Sequence, residues 1–143
     1  MKKKNRLNFF TPSNDGLEAI LINSGISAGF PSPAGDFKQE RISLDKELIK
    51  NKEATFFARV SGESMINAGL EDGDLIVIDR SLEPTNNKIA VCFIDGEFTV
   101  KRLLVKKNKI WLNPENANYK AIEVKEDNEL IIWGIVTNVI KKL

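Results

Sequence analysis

The sequence predicts a mainly β protein: a compact antiparallel β domain with one short helix and an extended N-terminal arm. Three observations carry that expectation. From residue 55 onward, short runs rich in Val, Ile, Phe and Thr are separated by turn dipeptides. The first forty residues are instead punctuated by Pro12, Gly16, Gly25, Gly29, Pro31, Pro33 and Gly35. The whole chain has 143 residues, 42% hydrophobic and 29% charged, which suits one globular domain with a proper core.

Taken in order, residues 1–40 read as an arm that buries little by itself. Lys2, Lys3, Lys4 and Arg6 form a basic cluster. Its expected state is a solvated tail, with contact to DNA or an acidic partner as the sharper alternative. An export signal needs an apolar run of ~7–15 residues after such charges. Here Leu7-Asn8-Phe9-Phe10 runs straight into Thr11-Pro12-Ser13. No stretch approaches the ~20 apolar residues of a membrane span, so a cytoplasmic protein is expected. Within the arm only Leu17–Ile22 reads as structured, as helix or strand. Residues 42–54 read as a short helix, with Ser43 as N-cap and Asp45 and Glu47 in its first turn. Strands are expected at Thr55–Ser61, Asp74–Asp79, Lys88–Ile94, Glu97–Val105, Ile110–Asn113, Ala121–Lys125 and Leu130–Ile140. The domain division is thus 1–40 as flexible arm and 41–143 as β domain.

Composition narrows the chemistry. The chain has no His and one Cys, Cys92. That excludes Cys/His zinc sites, internal disulfides and histidine-based triads. No metal or cofactor is expected, and Cys92 reads as a small buried hydrophobe. A net charge of +1 gives no global field for nucleic acid.

A serine attacks a carbonyl only when a base removes its proton. Without imidazole, a lysine made neutral by burial is the available substitute. Ser64 lies in Ser61-Gly62-Glu63-Ser64-Met65, where Gly62 and Gly69 mark turns, and Lys101 follows 37 positions later. Asp95-Gly96 predicts a two-residue type I′ turn between the strands before and after it. That register sets Ile94 opposite Glu97, Cys92 opposite Thr99, and Ala90 opposite Lys101. A small Ala opposite Lys101 leaves room for its long side chain. Thr99, Leu103 and Val105 share its strand face, and the last two suit a buried surface. Burial lowers a lysine pKa from ~10.4, by up to ~3–5 units. Taken singly, however, a strand lysine and a turn serine are ordinary surface residues.

Three blocks in order give the pair meaning. Ala28-Gly29-Phe30-Pro31-Ser32-Pro33-Ala34, then Ser61-Gly62-Glu63-Ser64-Met65 with Asp72-Gly73-Asp74-Leu75, then Asp95-Gly96-Glu97-Phe98-Thr99-Val100-Lys101-Arg102. Together they resemble the UmuD branch of the LexA/UmuD self-cleaving serine–lysine peptidases, from about Ser27 to the C-terminus. The resemblance implies an antiparallel β peptidase domain, Ser64 as nucleophile, Lys101 as general base, and Ala28–Gly29 as the scissile bond. UmuD itself commonly carries Cys-Gly there, while LexA-type repressors carry Ala-Gly as here. A repressor's upstream helix-turn-helix domain needs on the order of 60 residues. Only 28 precede Gly29, which argues against that reading. Signal peptidases share the chemistry but need a membrane anchor.

By the same resemblance, the arm docks as an added strand and Ser64 attacks the Ala28 carbonyl. The backbone N–H groups of Glu63 and Ser64 are the candidate oxyanion hole. The 35 positions from Gly29 to Ser64 span enough length, at ~3.3 Å each, for cleavage within or between subunits. The family implies a homodimer, a DNA-damage (SOS) role, stimulation by the RecA–single-stranded DNA filament, and a truncated product that serves a UmuC-type translesion polymerase. Neither membrane association nor sequence-specific DNA binding is expected. The competing reading is a non-catalytic polymerase-binding accessory protein. Leu130-Ile131-Ile132-Trp133-Gly134-Ile135-Val136 reads as core, or in part as a dimer interface. Arg102, Lys106, Lys107 and Lys109 read as a solvated basic group, with filament or DNA contact as the alternative.

Overall fold

In the computed structural model, residues 7–13, 16, 18–22 and 39–143 are described. Ala28 and Gly29 lie outside them. The strands in chain order are β1 (Asn8–Phe10), β2 (Glu18–Ile22), β3 (Gln39–Ser43), β4 (Thr55–Arg59), β5 (Leu75–Asp79), β6 (Ile89–Ile94), β7 (Glu97–Lys106), β8 (Lys109–Asn113), β9 (Ile122–Val124) and β10 (Leu130–Ile140). One helix, α1, spans Leu44–Leu48. Among the described residues no helix is long and apolar enough to cross a membrane.

Eight strands form one antiparallel sheet in the order β1-β4-β5-β10-β6-β7-β8-β9. The seven strands expected after residue 55 are all present, within two residues at each end. β10 lies between β5 and β6: its first half, Leu130–Ile135, pairs with β6, its second half, Ile135–Ile140, pairs with β5, and Ile135 pairs with both. Its burial is greatest in the middle, where the two ladders meet. Gly134 and Ile135 are buried there, whereas Ile131 near the strand's start is 58% exposed. Core residues split by strand parity. On β6, Val91 belongs to a cluster with Ala58, Met65, Ile76, Ile78 and Val100. Its neighbours Ala90 and Cys92 belong to a second, with Leu103, Leu112 and Ile135. A period of two sends adjacent side chains to opposite faces.

The β6–β7 hairpin has the register read from the sequence. Ala90 pairs with Lys101, Cys92 with Thr99 and Ile94 with Glu97. Asp95 (φ 47°) and Gly96 (φ 84°) are both left-handed, as a type I′ turn requires. A second left-handed pair, Lys107 (φ 49°) and Asn108 (φ 63°), turns β7 into β8.

Two elements depart from the sequence reading. β1 is a strand in a stretch read as unstructured; it pairs with β4, and Phe9 packs against Phe98 and Trp133. Three residues carry too little periodicity to announce themselves, and their pairing partner lies about fifty positions away in sequence. The helix expected over 42–54 is five residues long. Ile42 and Ser43 complete β3, which pairs with β2 in a separate two-stranded sheet. Ser43 does cap the helix, its Oγ accepting from the Lys46 amide at 3.4 Å. Beyond Leu48, Ile49 is extended, and Lys52–Ala54 forms a 3-10 turn. Asn51 donates its side-chain amide to Asp79 at 3.0 Å and accepts from the Thr55 hydroxyl on its carbonyl at 2.7 Å. Those bonds hold the chain in an open turn where propensity alone favours helix. By contact density the chain forms two units, 13–50 and the rest, so that β1 groups with the large sheet.

Candidate active site

Ser64 stands in the connection from β4 to β5, which closes on itself where the Val60 amide bonds Asp74 and the Gly73 amide bonds Val60, both at 2.8 Å. Gly62 opens the turn with φ 93°, a conformation costly for any side chain, and its amide donates to the Asp72 carboxylate at 2.8 Å. A 3-10 turn, Ile66–Ala68, follows. Met65 is buried in the core and anchors the turn next to the serine.

Lys101 stands mid-β7 with only 6% of its surface exposed, opposite fully buried Ala90. Its Nζ lies 3.0 Å from Ser64 Oγ, 2.6 Å from Thr99 Oγ1 and 3.1 Å from the Val100 carbonyl. Among the described residues it has no carboxylate partner. Burial pushes its pKa below the ordinary lysine value, and the neighbouring Cys92 only partly offsets this. Burial likewise raises the Cys92 thiol to about 11, with Lys101 partly opposing. Cys92 is fully buried, in keeping with the hydrophobic role read for it.

The serine and lysine expected from the sequence are thus adjacent. The N–H groups of Glu63 and Ser64 donate to no protein acceptor among the described residues. A cleft beside the serine is lined by Leu7, Gly62, Ser64, Met65, Phe98 and Thr99. Sequence reasoning placed Thr99 on the lysine's face without giving it a role; its two-residue spacing on a strand was the available signal. Leu7 lay in a stretch read as arm, and nothing local marked it as cleft lining.

Two sequence expectations need correction. Val105, read as suiting a buried face, is 49% exposed. It pairs with Ile110 toward the far end of the hairpin, beyond the core that covers Leu103. Arg102, read as part of a solvated basic group, is half-buried and ion-paired to Glu115, and it also donates to the Asn87 carbonyl at 2.6 Å. Arg102 pairs with Asn113, the last residue of β8, so the turn after β8 carries Glu115 back to it.

That turn reaches the serine. The Glu115 carbonyl accepts from the Asn67 amide at 2.8 Å, and the Asn116 side-chain amide donates to the Glu63 carbonyl at 2.9 Å. The site is therefore a hydroxyl and a buried amine in hydrogen-bond contact, beside backbone donors and an apolar cleft. It has the parts for nucleophilic attack on a carbonyl with lysine as base.

Comparison with known proteins gives the family. Residues 20–137 match the family described as Peptidase S24-like. The chain is 43% identical to Protein MucA of Salmonella typhimurium over 114 residues, 79% of this chain and 77% of MucA. It is 44% identical to Protein ImpA of Salmonella typhimurium over 129 residues, 90% of this chain and 88% of ImpA. It is 43% identical to Protein SamA of Salmonella typhimurium over 124 residues, covering 87% and 86% of the two. Matches of this length take in both the β4–β5 connection and β7, and with them the chain belongs to the Peptidase S24-like family, in the UmuD-type branch of its LexA/UmuD group.

Proposed function

We propose that the chain is a serine peptidase that cleaves its own Ala28–Gly29 bond with Ser64 as nucleophile and Lys101 as general base. The supporting observation is the 3.0 Å contact between a serine hydroxyl and a buried lysine that has no carboxylate partner among the described residues. A neutral amine has two hydrogens and one lone pair. The Thr99 hydroxyl and the Val100 carbonyl accept the two hydrogens, leaving the lone pair for Ser64. Lys101 takes the Ser64 proton as Oγ bonds to the Ala28 carbonyl carbon. The protonated amine then gives that proton to the departing Gly29 nitrogen as the peptide C–N bond breaks. Water, deprotonated in turn by Lys101, hydrolyses the acyl-serine and frees residues 1–28. The amides of Glu63 and Ser64, which have no protein acceptor among the described residues, are the candidate donors to the developing oxyanion.

The resemblance to the UmuD branch extends the proposal. Cleavage serves the response to DNA damage, is accelerated by RecA–single-stranded DNA filament, and yields an accessory subunit of a translesion polymerase from a homodimeric precursor. Intact-mass spectrometry tests the chemistry. Wild type incubated at alkaline pH, or with activated filament, gives a fragment beginning at Gly29, and Ser64→Ala and Lys101→Ala do not. If wild type stays whole under both conditions, the non-catalytic binding reading replaces this one. If Ser64→Ala is cut at the same bond, an outside protease is at work.

A further inference from the structure

The Glu63 carbonyl and the Ser64 N–H belong to one peptide unit, and that unit is rigid and planar. The described residues contain no cis peptide bond, so in this unit the carbonyl and the N–H point in opposite directions. Whatever holds the carbonyl therefore aims the amide. Two donors hold it: the Asn116 side-chain amide at 2.9 Å and the Ile66 amide at 3.2 Å. At the other end of the plane, the Ser64 N–H has no protein acceptor among the described residues. Asn116 is itself fixed, its Oδ1 accepting from the Asn118 amide at 3.0 Å. Its predecessor Glu115 is tied to the turn by the Asn67 amide and to β7 by Arg102, the residue after Lys101.

From this geometry we propose that Asn116 is a positioning residue that aims the Ser64 N–H into the oxyanion site. It grips the carbonyl on the far side of the same peptide plane. The proposal rests on Ser64 being the nucleophile. The bond acts in two ways. It fixes the orientation of the amide before charge develops, which is where oxyanion stabilisation gains most. It also polarises the peptide, so that the N–H becomes the stronger donor. The Arg102–Glu115 pair ties β7, the strand that carries the base, to the turn after β8, and that turn bonds the nucleophile's connection through the Asn67 amide and the Glu63 carbonyl.

The test is self-cleavage of the full chain across pH 7 to 10, read by intact mass, for wild type, Asn116→Ala and Asn116→Asp. Removing an oxyanion donor outright costs roughly 100- to 1,000-fold in rate. Loss of its support is expected to lower the high-pH plateau by roughly 10- to 100-fold. The pH of half-maximal rate stays in place, because the burial of Lys101 is untouched. In uncleavable Ser64→Ala protein, the residue 64 amide nitrogen resonance shifts on Asn116→Asp more than amides elsewhere in the β4–β5 connection. A plateau unchanged in both variants overturns the proposal. So does a fall in rate accompanied by a displaced half-maximal pH, since that reports a loosened lysine site. Wild type that fails to self-cleave overturns the parent reading instead, and the amide resonance still reports whether Asn116 orients that plane.

Discussion

Lys101 carries a cost that its proposed role as base would use. Its ammonium form is disfavoured in the folded protein because burial strips its water, so the folded chain binds this proton less readily than the unfolded chain. Two outcomes follow at the scale of this residue. On the proposed mechanism, self-cleavage accelerates as pH rises and reaches half-maximum below the ordinary lysine value of ~10.4, as pH-rate measurement will record. Stability moves the same way. Between the lowered folded pKa and ~10.4 the unfolded state holds more protons, so raising the pH through that window stabilises the fold. Below the window the penalty is present in full. In a Ser64→Ala background, melting curves of Lys101 and Lys101→Met proteins therefore change relative to each other between pH 7 and 10. The lysine protein gains on the methionine protein as pH climbs. A constant difference speaks against burial as the source of the shift.

At the scale of elements, the β6–β7 turn sets the register of Lys101, and Gly134 follows a register shift in the ladder between β10 and β6. Gly96 is left-handed, and a Cβ there would meet nothing within 4 Å. The cost of Gly96→Ala is thus backbone strain alone, about 1 kcal/mol. Gly134 follows the irregularity in the β10–β6 ladder, and a Cβ would come within 2.5 Å of Ile78 Cγ2. Ile78 is fully buried and cannot swing away, so Gly134→Ala costs more, about 1–3 kcal/mol from overpacking. Thermal or urea melts of the two variants in Ser64→Ala protein rank them. An equal or reversed ranking contradicts the packing account.

At the scale of the whole molecule, β1 joins the start of the chain to the core. Phe9 meets Trp133 at 4.6 Å and Phe98 at 5.0 Å between ring centroids, and Leu7 lines the cleft beside Ser64. Phe9→Ala is expected to destabilise by about 2 kcal/mol, at the lower end for a half-buried aromatic, and to change the fluorescence of Trp133. Calorimetry and emission spectra of the Ser64→Ala protein check both. Unaltered emission places Phe9 away from that ring. By the proposed cleavage, residues 1–28 include β1, so the peptide bond that Ser64 cuts also detaches a strand from the sheet that carries Ser64.

The sequence by itself determined the strands after residue 55, the hairpin register that sets Ala90 opposite Lys101, and the family, through motifs in fixed order. These were legible because they are local: a strand announces itself by alternation, and a two-residue turn dictates register by geometry. Tertiary structure alone decided that Lys101 touches Ser64, that Thr99 and Val100 receive its hydrogens, and that Arg102 leaves solvent for Glu115. It also recruited β1 and set Asn116 against Glu63. The reason is physical: these contacts close between segments far apart in sequence, and loop conformations are fixed by hydrogen bonds to partners that no local pattern identifies.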